Sequence, residues 1–344
     1  MSDSDRMMEA LDARVRRRES RRAFFTQAAG VAAGATLLAG HAAAQTATPT
    51  PTPTPTATTA YTDIDIVNFA LNLEYLEANF YSFAVTGAGL ASADISGSVG
   101  TAGAATGGRA VTFTDANLAS YAREIAADEL AHVRFLRGQL TSTTYIAQPA
   151  IDLSVSATSA FSNAARAAGL ISGSSAVFDP YASEENFLLA AFLFEDVGVT
   201  AYKGAAPLIT SKLFLEAAAG ILAVEAYHAA TIRSLLYRRG IAVPTPNAIT
   251  RAGGISDARD ALDGNPTEDK VRGIAPDDDQ GIAPVTTSDG VRSNIVPANE
   301  NAIVYSRTPA QVLNIAYLNN TTATAGGFFP AGVNGTIKSS AAAT

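Results

Sequence analysis

Glutamate precedes histidine by three residues at two places in this chain, each within a long helical pattern. The pairs are Glu129 with His132 and Glu225 with His228, while the third histidine, His41, lies near the N-terminus. Positions three apart share one face of an α-helix, so each pair offers a carboxylate and an imidazole to the same point. Apolar residues share that face, and an ionised carboxylate buried without a partner costs several kcal/mol. We therefore expect compensating charge where these pairs point.

Four segments with helical periodicity predict an all-α protein. The first helix begins at Thr62 or Asp63 and ends at about Val85, and the second begins at Thr114 or Asp115 and ends at about Leu140. The third begins at Ser183 and ends before Pro207. The fourth begins at Ser211 and ends at about Arg239, with Gly240 as its C-cap. Helices of roughly 20 to 30 residues are about 30–45 Å long, which suits a four-helix bundle. The longest gap, residues 141–182, should hold the crossover between the second and third helices and a short helix at about 157–170.

The first and third helices each supply one more glutamate. Glu74 and Glu195 are each followed seven residues later by a tyrosine, Tyr81 and Tyr202. One glutamate from each of two helices and one Glu-x-x-His from each of the other two is the arrangement that binds two ions in carboxylate-bridged bundles. The predicted ligands are therefore Glu74, Glu129, His132, Glu195, Glu225 and His228.

The chain has no cysteine, so any bound metal must use oxygen and imidazole ligands. Such ligands favour two iron or two manganese ions, and a close pair suits reactions with dioxygen or peroxide. A bundle whose buried Glu and His residues pair only with one another is the alternative. Four carboxylates and two imidazoles would still leave negative charge inside, which two divalent cations relieve.

Several segments resemble known proteins. Residues 72–81 look like the first helix of ferritins, and the order of motifs over residues 63–240 resembles the superfamily of ferritin, bacterioferritin, rubrerythrin and manganese catalase. Residues 195–202, 306–315 and 326–330 are similar to desiccation-related ferritin-like proteins. The resemblance implies a ferritin-like four-helix bundle with a metal site, and extends to the end of the chain.

The resemblance also implies roles for single residues. It makes Glu129 and Glu225 bridging ligands, His132 and His228 terminal imidazole ligands, Glu74 and Glu195 terminal carboxylates, and Tyr81 and Tyr202 neighbouring groups that are candidates for a catalytic redox role. Helical phase places Glu77 nearer the centre of the apolar face than Glu74, whereas the spacing to Tyr81 favours Glu74. Glu77 therefore stays open as a rival or additional ligand.

The N-terminal region predicts export. Residues 1–44 contain an arginine pair, an Ala/Gly-rich apolar stretch and small residues before Gln45, which resembles a twin-arginine signal peptide. Residues 45–60 form a Thr/Pro-rich linker, residues 61–240 the bundle, and residues 241–344 a mostly irregular C-terminal extension that wraps it. We expect a periplasmic or otherwise extracytoplasmic protein that uses the twin-arginine export machinery.

Three shorter segments carry their own expectations. The Gly-rich residues 87–113 are interpreted as a mobile surface loop, and the run of three aspartates at 277–279 as a solvated loop, since it lacks the spacing of a calcium-binding loop. In the extension, Thr308 and Pro309 predict the start of one short helix.

The formal charge of −8 argues against nucleic acid as a partner. The site favours a di-metal oxidase, ferroxidase or peroxide-consuming protein that protects the cell envelope. A non-enzymatic desiccation or stress protein with stabilising metals is the alternative, and an iron-storage cage is least favoured because the linker and extension would crowd a closed shell. Assembly into a homo-oligomer stays open.

Overall fold

The computed structural model describes residues 61–243, 247–264, 279–299 and 301–343, so the predicted signal peptide and linker lie outside the described residues. In chain order the helices are α1 (Asp63–Thr86), α2 (Ser92–Ile95), α3 (Ala116–Gln139), α4 (Ala160–Ala167), α5 (Glu184–Ala205), α6 (Lys212–Ala242), α7 (Ala248–Asp263) and α8 (Pro309–Tyr317). Two small sheets pair β1 (Ala105–Thr106) with β2 (Ile151–Asp152) and β3 (Val285–Thr287) with β4 (Gly290–Arg292). The predicted all-α fold is confirmed.

Each long helix begins at a side-chain cap that the sequence offered. The Thr62 hydroxyl accepts from the Asp65 amide in a capping box. Asp115, Ser183 and Ser211 accept from the first-turn amides of α3, α5 and α6. These acceptors satisfy amides that a helix leaves without an internal partner, which is why the starts were readable from sequence.

The four long helices pack as two pairs, α1 with α3 and α5 with α6, joined where α1 meets α5. The connection from α3 to α5 is the long one and contains α4, as expected for a crossover. Helices α1 and α5 are buried on nearly every side, whereas α3 and α6 bury one face each. A helix that is apolar all round needs cover on its outer side as well.

Helix α6 departs from the sequence expectation at its end. Gly240 is not its C-cap, because the helix continues to Ala242. A Cβ at Gly240 would lie 2.5 Å from Ile249 Cγ1, so the glycine allows α7 to approach closely.

Helix α6 is also long and apolar enough to cross a membrane by length and composition alone. Its buried Glu225, His228 and Arg233 instead point into the protein.

The C-terminal extension covers the outer side of α5. Helices α7 and α8 both pack against α5, and α8 begins at Thr308 with Pro309 at its first position, as predicted. Helix α7 was not predicted, because two adjacent glycines and a mixed polar pattern obscure its periodicity. Capping by Asn247 and burial of its inner face hold it in helical form.

The connection between α1 and α3 is not the mobile surface loop expected from its composition. Strand β1 in this connection pairs in parallel with β2. A Cβ at Gly97 would lie 2.1 Å from the backbone nitrogen of Ala147, and one at Gly103 would lie 2.2 Å from that of Ala150. These glycines serve close backbone packing, a role that composition alone does not distinguish from flexibility.

Candidate metal centre

All four long helices contribute to one buried cluster. Its members are Glu74 from α1, Glu129 and His132 from α3, Glu195 from α5, and Glu225 and His228 from α6. The four carboxylates have no exposed surface, and the histidines are 8% and 5% exposed. The fold therefore brings together the six residues that the motif spacing selected.

One half of the cluster is centred on His132. Its Nδ1 lies 3.2 Å from Glu74 Oε2, 3.4 Å from Glu225 Oε1 and 3.6 Å from Glu129 Oε2. One ligand atom from each of these four residues falls within 4.8 Å of all the others. A single cation placed among them could contact all four.

The other half is centred on His228. Its Nδ1 lies 3.0 Å from Glu129 Oε1 and 3.6 Å from Glu195 Oε2, and these three residues form a second group of convergent ligand atoms. Glu129 belongs to both groups, the placement expected of a bridging carboxylate, whereas Glu225 is grouped only with the His132 half. The bridging role of Glu225 stays a prediction.

The ligand atoms of the cluster lack hydrogen-bond partners. Among the described residues, nine buried side-chain nitrogen or oxygen atoms have no partner, and eight of them belong to the six cluster residues. Buried polar atoms are almost always hydrogen-bonded, so such a concentration indicates a missing positive partner. Carboxylate oxygens together with imidazole nitrogens fit iron or manganese, and the donor set therefore fits the metals expected from sequence.

The pKa shifts in the cluster also indicate that positive charge is missing there. Burial, the largest effect, raises the pKa of Glu74, Glu195 and Glu225 to about 8. Burial would also raise the pKa of Glu129, but the two imidazoles outweigh it and lower that pKa to about 2. Burial favours neutral imidazoles, yet nearby carboxylates raise the pKa of His228 to about 10. Bound cations would displace the protons held here.

The two tyrosines predicted beside the site connect α1 with α5. The Tyr81 hydroxyl of α1 donates to Glu195 Oε1 on α5, and the Tyr202 hydroxyl of α5 donates to Glu74 Oε1 on α1. Each tyrosine thus holds the carboxylate of the opposite helix and leaves its Oε2 unpartnered. They orient ligand atoms, while their redox role stays a prediction.

Glu77 is buried next to the cluster but belongs to neither group of convergent ligand atoms. Burial, reinforced by the neighbouring carboxylates, raises its pKa well above the usual range. The geometry therefore favours Glu74 over Glu77 on α1.

Gly198 of α5 lies against the carboxylates of Glu225 and Glu77. A Cβ at this position would lie 2.4 Å from Glu225 Oε2 and 3.3 Å from Glu77 Oε1.

Sequence reasoning missed Asp128, which orients a histidine. Its Oδ2 lies 3.1 Å from His228 Nε2, on the side of the ring opposite the cluster. A carboxylate on the outer ring nitrogen fixes the tautomer and turns Nδ1 inward, as in many metal sites. The only signal was its place directly before Glu129 on a helix.

Sequence reasoning also missed a second buried charge cluster, on the outer side of α5. We call it the arginine cluster, and its members are Arg233, Arg259, Arg307, Asp196, Asp263 and Asp279. Its arginine side chains are at most 1% exposed. It joins α5 and α6 to α7 and to later residues of the extension. These ion pairs fasten the extension to the bundle.

Asp279 corrects the interpretation of the aspartate run as a solvated loop. It is 6% exposed and accepts from Arg259 at 2.7 Å and from Arg307 at 2.5 Å. Burial would raise its pKa, but the two guanidinium groups outweigh this and lower it. Asp277 and Asp278 lie outside the described residues.

Comparisons with known proteins identify the family of this chain. A ferritin-like domain family matches residues 62–238. The desiccation-related protein PCC13-62 of Craterostigma plantagineum is 30% identical over 73% of this chain and 76% of its own. The ferritin-like catalase Nec2 of Nesocodon mauritianus is 29% identical over 80% of this chain and 84% of its own. No solved structure matches significantly. The chain therefore belongs to the ferritin-like domain family.

Proposed function

We propose that this chain is an exported di-metal protein that consumes hydrogen peroxide in protection of the cell envelope. The observation that carries the proposal is the convergence of six ligand residues with eight unpartnered ligand atoms at one buried point. Similarity to a ferritin-like catalase favours peroxide over the oxidase and ferroxidase alternatives. Export rests on the N-terminal sequence alone.

The proposed centre holds two iron or two manganese ions between the His132 and His228 halves. Such a pair, when bound, supplies two-electron chemistry, so one peroxide is reduced to water while another is oxidised to dioxygen. Glu129, common to both halves, would contact both ions.

The surrounding residues position the ligands. Tyr81 and Tyr202 leave one oxygen each of Glu195 and Glu74 free for a cation, and Asp128 turns the ring of His228 inward. The apolar core formed by α1 and α5 excludes bulk water, which strengthens electrostatic interactions within the site.

Simultaneous substitution of Glu129 and Glu225 by Ala tests this function. We expect the variant to bind fewer than about one tenth of the wild-type ions and to lose peroxide-dependent dioxygen release, because each ion loses at least one carboxylate. The control is the double variant Glu124→Ala and Glu216→Ala, with exposed glutamates on the same two helices. Wild-type protein that folds with metal supplied but binds less than one ion per chain would contradict the proposal.

The second candidate is a non-enzymatic desiccation protein in which metals stabilise the bundle, favoured by similarity to the desiccation-related protein. It predicts that the double glutamate variant loses thermal stability while the metal-loaded wild type releases no dioxygen from peroxide. Survival of drying that does not change when the gene is deleted would exclude this candidate.

A further inference from the structure

A cavity of about 360 Å³ lies on the outer side of α5 and α6, beneath residues 295–297 and 302–305 of the extension. Small side chains, mostly alanines of α6, form one wall. The polar part of the wall comes from Asp196, Thr200, Arg233 and Tyr305. Cavities that bind small molecules measure roughly 300–1,000 Å³ and combine apolar walls with a few polar groups. This cavity is separate from the metal-binding atoms, which face the other side of α5.

Tyr305 lines the cavity with a hydroxyl group that the protein does not bury completely. The residue is 8% exposed, and no hydrogen bond joins its hydroxyl to a described residue. The guanidinium of Arg307 lies 5.0 Å from the ring centroid, which fixes the ring. Burial raises the pKa of Tyr305, so its hydroxyl remains a donor at neutral pH. The hydroxyl therefore gives the cavity a hydrogen-bond donor that no described residue uses.

Asp196 also lines this wall, and its carboxylate is engaged with the arginine cluster. Its Oδ2 accepts from Arg233 at 2.7 Å and from Arg259 at 2.9 Å. Its Oδ1 is buried and has no partner. Because protein encloses this oxygen, the hydroxyl of Tyr305 is the unused polar group that the wall offers to a ligand.

The charges of the wall select a neutral ligand. All five N–H groups of Arg233 are engaged, with Asp196 and with four carbonyl oxygens of the extension, so none remains for an anion. The three arginines of the arginine cluster are matched by its three aspartates, so an ammonium group would add charge with no counterion.

We propose that this cavity binds a compact neutral molecule with an apolar body and a hydroxyl group. The alanine wall packs against the apolar body, while the hydroxyl oxygen accepts from Tyr305. A hydroxyl oxygen accepts a hydrogen bond without carrying charge, so it supplies the partner that Tyr305 lacks. The proposal does not depend on the metal centre or its activity.

Three probes of one shape test the ligand class by isothermal titration calorimetry on the metal-loaded chain. They are cyclohexanol, cyclohexylammonium and cyclohexanecarboxylate. We expect cyclohexanol to bind at least tenfold more tightly than either charged probe, because the charged probes must leave water without a counterion. Equal binding of all three, or no binding of cyclohexanol, would overturn the proposal.

Two variants place the binding site. Tyr305→Phe removes the donor and should weaken cyclohexanol binding about three- to tenfold. Ala223→Phe fills the cavity from the exposed side of α6 and should abolish binding. The control is Ala127→Phe, an exposed alanine in the middle of α3 outside the cavity. Metal content should be unchanged in all three variants, and binding that survives both Tyr305→Phe and Ala223→Phe would show that the probe binds elsewhere.

Discussion

Two buried charge clusters lie on opposite sides of α5, and two consecutive residues of this helix each contribute a carboxylate to one of them. Glu195 points into the metal centre, whereas Asp196 points into the arginine cluster. The arginine cluster has three cations for three anions and one unpartnered atom, while the metal centre has eight. The charges of the arginine cluster balance one another, whereas the metal centre lacks positive charge that the described residues do not supply.

This difference indicates that the buried charges of the arginine cluster stabilise the fold, whereas those of the metal centre are suited to binding cations. In the arginine cluster the guanidinium groups lower the pKa of Asp279, so its carboxylate is ionised in the folded protein. In the metal centre burial raises the pKa of three carboxylates to about 8, so the same kind of group takes up protons instead. Substitutions that remove charge should therefore have opposite effects on stability in the two clusters.

The largest effect is expected from Arg259→Leu, which removes a cation from the arginine cluster. Asp196 and Asp279 would then be buried without their shared partner, and breaking a buried ion pair in this way costs about 3–5 kcal/mol. Urea unfolding measures the loss. The control is Arg292→Leu, whose exposed pair with Asp289 should contribute less than about 1 kcal/mol. A loss no greater than the control's would mean that the cluster does not fasten the extension.

Removing a negative charge from the metal centre should instead stabilise the metal-free protein. Glu225→Gln resembles the protonated side chain, and at pH 7 we expect a gain on the order of 2 kcal/mol together with loss of metal. A carboxyl whose folded pKa is raised contributes stability below about pH 4.5 that is lost as the pH rises through 8. The gain should therefore disappear near pH 4.5.

Thermal unfolding of chelator-treated protein between pH 4.5 and 8 measures this dependence. Glu216→Gln is the control, because Glu216 is exposed on the same helix and far from the cluster. Wild-type protein whose metal-free stability rises across this range would show that the carboxyls are not held protonated, and the contrast with the arginine cluster would fail.

The two clusters also differ in how well sequence predicts them. The metal centre follows from spacing along single helices: Glu129 to His132 is one turn, and the apolar residues around it fix its direction. Helix starts were readable for the same reason, since Asp115 and Ser183 cap within their own segments. These features depend on the geometry of a single helix, which follows from residue spacing in the sequence.

The arginine cluster could not be predicted in the same way, because its partners are distant in sequence and one lies in an irregular segment. Arg233 shares its helical face with apolar Ala229 and Leu236, which was a usable signal of burial. Nothing local indicated that Asp279 would meet Arg259 across the surface of α5. Tertiary contact decided those positions, as it decided the packing of Gly97 and Gly103.

The smallest expected effect concerns the volume of the metal centre. A Cβ at Gly198 would lie 2.4 Å from Glu225 Oε2, closer than real contacts allow, so Gly198→Ala must displace that carboxylate. We expect a loss of about 1–2 kcal/mol from overpacking and less bound metal per chain. Gly220→Ala is the matched control, because nothing lies within 4 Å of a Cβ at that helical position. The control should gain about 0.5–1 kcal/mol from the higher helix propensity of alanine.

Metal content separates the two reasons why a glycine could occur at position 198. If Gly198 only marks a tolerant helical position, both alanine variants gain stability and retain their ions. If it leaves room for carboxylates that contact a cation, Gly198→Ala loses metal while Gly220→Ala does not. In the second case the metal-free variant should also unfold at a lower temperature than metal-free wild type, because the crowding of Glu225 and Glu77 does not depend on the ions.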